Sequence, residues 1–110
     1  MAFKTVLDRT FKHRVAVQVP VDGGHKEETF KATFRLLDAA AIEDFDLGSV
    51  EGTSDFLRAV IVDMDELVKE DNTPDQYCDD LRDKIILFTP ARVALVRAYF
   101  DGAGKGRRKN

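Results

Sequence analysis

Residues 11–36 read FKHRVAVQVPVDGGHKEETFKATFRL, and their alternation decides the fold. Phe11, His13, Val15, Val17, Val19 and Val21 fall on one face of an extended chain, while Lys12, Arg14, Ala16, Gln18, Pro20 and Asp22 fall on the other. A period of two with this many valines is the pattern of a half-buried strand. Pro20 has no N–H to give a neighbouring strand, so this strand lies at an edge or ends there. Asp22-Gly23-Gly24-His25 supplies the turn, because glycine accepts the positive φ that tight hairpins require. The return strand is expected over residues 28–36, with Phe30, Ala32, Phe34 and Leu36 inward and Thr29, Lys31, Thr33 and Arg35 outward. A two-stranded ribbon with one apolar face is marginal alone, so the rest of the chain must cover it.

Working outward, the remaining pattern is helical. Asp38 is a good N-cap, with Leu37 before it and Ile42 at the fourth helical position, the arrangement of a hydrophobic staple. This first helix is expected to end near Leu47-Gly48, followed by a loose loop over 48–52. Thr53 or Ser54 is the expected cap of a second helix carrying Phe56, Leu57, Val60, Ile61 and Met64 at helical spacing. Residues 68–77 read as a polar loop. A third helix is expected from about Cys78 to Phe88, with Leu81, Ile85 and Phe88 on one stripe. Thr89-Pro90 reads as a cap followed by proline at the first helical position, opening a fourth helix that Gly102 stops after Asp101. The expected architecture is α+β: an N-terminal β-hairpin packed against about four α-helices in one domain over residues 1–104. Residues 105–110 form a basic tail expected to lack fixed structure.

The chain has 110 residues, 44% hydrophobic and 34% charged, with a mean hydropathy of −0.29. That is the profile of a water-exposed globular domain rather than a disordered chain. No run reaches the roughly 18 apolar residues of a membrane span, and residues 1–10 lack the pattern of a signal peptide. The formal charge of −3 conceals three unlike blocks. Residues 1–37 hold seven Lys/Arg against four Asp/Glu, residues 38–83 three against fifteen, and residues 84–110 seven against one. Such a split favours charge-complementary contacts, within the chain or with a partner.

Motifs that carry chemistry fail on their own requirements. Gly102-Ala103-Gly104-Lys105-Gly106 resembles the end of a phosphate-binding loop, but a helix precedes it and no Ser or Thr follows Lys105. The acidic run after Asp63 misses the calcium-loop pattern in both available frames: Leu67 falls at a ligand position in one, and Gln76 replaces the glycine in the other. Cys78 is the only cysteine, which excludes disulfides, and Asp79 and Asp80 beside it oppose a thiolate. His13 lies on the apolar face of the first strand and His25 in the turn, neither with a metal-ligand partner. Ser49 and Ser54 lack a nucleophile-elbow context. No catalytic, cofactor or metal residues are expected. The basic tail could meet nucleic acid, but the sequence pI of about 5.3 and the acidic block argue against it.

The order of segments adds a resemblance. Phe11 to His25, followed by Thr29-Phe30-Lys-Ala-Thr-Phe34-Arg35, resembles the opening of tail assembly chaperones from long-tailed phages and prophages. The similarity continues through Asp55-Phe56-Leu57-Arg58, Val60-Ile61-Val62, Tyr77 to Leu81, and Pro90 to Phe100, so it covers nearly the whole chain. It departs at Asp63-Met64-Asp65-Glu66, where many members of that family carry a Gly-Trp-Glu-Gly-like turn. The resemblance implies a non-enzymatic protein of the host bacterial cytoplasm that is absent from the mature virion. Its partner would be the tape measure protein, a long helical chain kept soluble until tail tube subunits assemble around it. It also implies self-association of many copies along that chain. The alternative is a structural tail completion or connector protein that stays in the particle. Candidate partner-binding residues are Phe45 and Leu47 ahead of the loop, Tyr99 and Phe100 near the end of the last helix, and Lys105, Arg107, Arg108 and Lys109 in the tail.

Overall fold

A computed structural model describes residues 1–104. In chain order the elements are β1 (Thr10–Val21), β2 (Gly24–Arg35), α1 (Ala39–Glu43), α2 (Val50–Val60), β3 (Ile61–Asp65), α3 (Asp79–Leu87) and α4 (Thr89–Ala103). The strands form one antiparallel sheet in the order β1-β2-β3, and helices cover one of its faces in an α+β domain. The hairpin has the expected alternation. Phe11 pairs with Phe34, Val15 with Phe30 and Val21 with Gly24, and Val15, Val17, Phe30, Ala32 and Phe34 are buried. Gly23 takes the positive φ of the turn, at 83°. β2 starts at Gly24, four residues before the expected return strand, so His25 lies in a strand paired with Pro20.

β3 is the main correction. Residues 61–65 read as the end of the second helix, yet they pair with β2, Ala32 with Met64 and Thr33 with Asp63. A bulge then intervenes: Phe34 pairs with Ile61, leaving Val62 as the extra residue. Because of that bulge both Ile61 and Met64 turn inward, with Val62 and Asp63 exposed between them. Two inward residues three apart imitate helical spacing, and this is why the periodicity misleads there.

Helix boundaries differ for local reasons. Asp38 does cap α1, its Oδ1 accepting the Ala41 N–H at 2.9 Å, but the helix ends at Glu43, before Leu47. α2 is capped by Ser49, whose Oγ accepts the Gly52 N–H at 2.9 Å, rather than by Thr53 or Ser54. The stretch 48–52 is therefore a helix start, not a loose loop. The N-cap of α4 is Phe88, so Pro90 follows Thr89 in its first turn. Nor does Gly102 stop α4; the helix runs to Ala103 and is capped by Gly104.

Gly102 has a packing role instead. α4 lies chiefly along β1, and Ala91, Ala94, Ala98 and Gly102 share the face it buries. Side chains this small let a helix axis approach a strand closely. A Cβ at Gly102 would stand 2.4 Å from the Phe11 ring and 2.9 Å from the His13 ring. This approach seats Tyr99 in the centre of the core, 1% exposed. Its ring lies 5.1 to 5.7 Å from those of Phe11, Phe34, Phe56 and Phe100. Its hydroxyl accepts the Leu37 N–H at 3.1 Å, satisfying a backbone group where β2 leads into α1.

The charge asymmetry is partly spent inside the domain. Lys12 of β1 reaches across the sheet to Asp65 of β3 at 2.7 Å, and Lys31 of β2 meets Glu66 at 3.2 Å. The hydrogen bond to Asp65 raises the Lys12 ammonium above the ordinary lysine pKa. Arg58 bonds Asp55 at 2.9 Å and Asp83 at 3.4 Å, tying α2 to α3. All these pairs are solvent-exposed, so they orient elements more than they stabilise them.

Gly52 tests this packing most sharply. A Cβ there would meet the Asp46 carbonyl oxygen at 2.1 Å, a backbone atom that cannot swing aside. Gly52→Ala is expected to lower unfolding free energy in urea by about 1–3 kcal/mol, the usual cost of overpacking. Gly102→Ala should cost less, because the Phe11 ring can shift, and Gly24→Ala, with nothing within 4 Å, should cost least. Equal stability of the wild type and Gly52→Ala would contradict the packing described.

Candidate functional site

The helix that covers the hairpin is shorter than the hairpin. β1 has 12 residues and α4 has 15, which at about 3.4 Å and 1.5 Å per residue gives lengths of about 40 and 22 Å. With Gly102 placed over Phe11 and His13, α4 reaches only as far as the level of Val17. Beyond it, toward the turn, the cover of the hairpin's apolar face thins: Val19 is half-buried and Val21 47% exposed. A groove of about 800 Å³ opens there.

Three elements wall the groove. The hairpin gives Val17, Val19 and Phe30, and the corner between α3 and α4 gives Leu81, Ile85, Phe88 and Ala91. The loop of residues 66–75 closes the third side with Leu67 and Val68. The rim is charged, with Lys26, Glu28, Glu66, Lys69, Glu70, Asp75 and Lys84 around the apolar floor. Two apolar side chains stand out into solvent at the lip: Phe88 is 49% and Val68 58% exposed.

The loop wall is itself organised, although residues 68–77 read as an open polar loop. Val68 and Pro74 form an antiparallel bridge. Lys69 N–H donates to the Thr73 carbonyl at 2.8 Å, and Asp75 N–H donates to Leu67 at 2.9 Å. Asn72 takes the left-handed conformation the tight turn needs, φ 68°, which asparagine tolerates better than most residues. The Asp71 carboxylate accepts from the Thr73 hydroxyl at 2.6 Å and from its N–H at 3.1 Å. Those bonds hold Asp71 below the ordinary carboxylate pKa. A lowered folded-state pKa stabilises above the ordinary value, so this contribution fades as pH falls through the Asp71 titration.

The sequence-derived candidates are scattered rather than gathered. Tyr99 is a core residue and presents no surface to a partner. Phe100 is half-buried and stacked on Phe56, with centroids 5.8 Å apart and planes 6° from parallel. Phe45 is half-buried, edge-on to Phe56 at 5.7 Å, and Leu47 nearby is 37% exposed. None of these four lines the groove. Lys105, Arg107, Arg108 and Lys109 lie outside the described residues. Sequence reading placed Phe88 on a helical stripe and gave no role to Val68. The signal that could have found them is the length of the valine strand, which exceeds what one following helix can cover.

His13 is half-buried, its Nδ1 2.7 Å from the Arg14 carbonyl, and Cys78 is exposed at the start of α3. Burial raises the Tyr77 phenol above its ordinary pKa, with Arg82 partly opposing the shift. Among the described residues no three His, Cys, Asp or Glu side chains cluster as metal ligands. No helix of the described residues is long and apolar enough to cross a membrane. An apolar floor inside a charged rim is suited to receiving an amphipathic chain by side-chain burial.

Phe88→Ser should lower the fluorescence of a bound hydrophobic dye severalfold, while unfolding free energy moves by no more than about 0.5 kcal/mol, as for other exposed positions. Unchanged dye binding would mean that the groove is not the apolar surface available to ligands. Comparison with protein-family models, with curated proteins and with solved structures found no match for this chain.

Proposed function

We propose that this protein is a tail assembly chaperone of a long-tailed phage or prophage, acting without catalysis. It binds amphipathic helical segments of the tape measure protein in the host cytoplasm until tail tube subunits enclose that chain, and it is absent from the finished particle. The observation that carries the reading is the groove between the turn end of the hairpin and the α3–α4 corner, with its apolar floor and charged rim. The likeness of residues 11–35 and 90–100 to that family supplies the identity of the client.

The physical logic is straightforward. A long chain with apolar stripes aggregates while unassembled, because exposed apolar surface is its most favourable contact. An amphipathic helix has an apolar stripe at least about 100° wide with polar flanks, and it lays that stripe on the exposed Val68 and Phe88 and the half-buried Val19, Leu67 and Ile85 while its flanks meet the rim charges.

Co-expression with a tape measure protein, a long helical chain, followed by size-exclusion chromatography with light scattering, tests this reading. The long chain is expected to become soluble and to elute with several copies of this protein. A precipitated long chain beside a closed ring of this protein, found again in purified particles by mass spectrometry, would favour the structural connector instead.

A further inference from the structure

The loop that walls the groove is braced on itself rather than on the body of the domain. Backbone hydrogen bonds join Lys69 to Thr73, Asn72 to Lys69 and Asp75 to Leu67, and the Asp71 carboxylate fixes the tip by accepting from Thr73. The segment is thus a short two-stranded finger. Among the described residues, no hydrogen bond or ion pair ties residues 68–75 to the sheet or to a helix. Leu67 anchors the base, half-buried against the core, while Val68 beside it stays exposed.

Space lies on both flanks of the finger. The groove of about 800 Å³ is on one side, and a second cavity of about 590 Å³, reaching Met64 and Tyr77, is on the other. Glu66, Leu67, Val68 and Asp75 line both. A wall with room on each side and few ties to the body is free to change position as a unit. Backbone strain sits where such a movement turns. Glu66 directly follows the end of β3 and holds φ at 63°, a left-handed value that a residue with a side chain adopts at a cost. Strain of this kind gathers at clamps and switch segments, and hinges fall at the ends of elements. At the other end of the finger, residues 75–78 have no regular structure before α3 begins at Asp79, so they can follow the turn.

We infer that residues 66–75 are a flap that turns about Glu66 and closes on a helix lying in the groove. The inference rests on the groove being the binding surface and adds how an occupant is retained. On closing, Val68 leaves solvent and covers the apolar stripe of the occupant opposite Phe88, and Glu66 leaves the left-handed region. The relief of that strain offsets the loss of the Lys31–Glu66 pair, which is exposed and worth little. The second cavity is the room into which the finger swings back to admit or release a segment. Contacts made after arrival slow departure more than they speed binding.

Spin-label distances on the full chain test this. In a Cys78→Ser background, labels at Glu70→Cys on the finger and Leu87→Cys on α3 report the flap, and labels at Glu51→Cys on α2 and Leu87→Cys report the body. The probe is a synthetic amphipathic helix of leucine, lysine and glutamate, its binding followed by fluorescence anisotropy. Saturating peptide should shorten the flap distance by several ångströms, narrow its distribution and leave the body distance unchanged. Glu66→Gly removes the cost of the left-handed φ and so favours the open position; it should weaken peptide binding about fivefold through faster dissociation. An unchanged flap distance with peptide bound, or Glu66→Gly binding as tightly as the wild type, would overturn the flap and leave the groove reading standing. A peptide that fails to bind, or that binds Phe88→Ser as well as the wild type, would contradict the groove reading and the flap with it.

Discussion

The close approach of α4 to β1 is the constraint on which the other features depend. Ala91, Ala94, Ala98 and Gly102 present almost no side-chain thickness to the strand, and at Gly102 not even a Cβ fits against Phe11. This places Tyr99 where its ring meets four aromatic neighbours and its hydroxyl meets the backbone at Leu37. It also sets where α4 ends its cover. A helix held tightly at the Phe11 end of β1 cannot also reach Val19, so the core and the groove come from a single placement.

Much of the domain is legible in the sequence because local and global preferences agree there. The hairpin is read correctly from alternation, since Val15, Val17, Phe30 and Phe34 are inward both by pattern and by burial. Asp38 is read correctly as a cap, since its side chain has the geometry that its residue type favours. The third strand is hidden because the bulge at Val62 breaks the period of two and leaves Ile61 and Met64 three residues apart. The start of α2 is hidden because Gly48 and Gly52 suggest a flexible loop. Gly52 is in fact there for space, against the Asp46 carbonyl.

The candidate site was less legible than the fold. Aromatic size drew attention to Tyr99 and Phe100, but large aromatics near the end of an amphipathic helix serve the core here. A groove is a property of what fails to cover a surface, and no single residue announces it. Only a comparison of lengths, a strand of 12 residues against a helix of 15, exposes the uncovered stretch of β1. The acidic block has a similar double reading. Asp65 and Glu66 are spent on Lys12 and Lys31, while Glu70 and Asp75 remain on the rim of the groove, where they bias what can bind.

The central claim, that the groove is the surface that holds an amphipathic chain, is tested most directly by amide hydrogen exchange with and without a helical segment of the client. The account predicts slowed exchange in the loop of residues 66–75 and at the α3–α4 corner around Ile85 to Ala91, with α1 and the start of α2 unchanged. Slowed exchange confined to the surface around Phe45 and Leu47, with the groove unaffected, would contradict it.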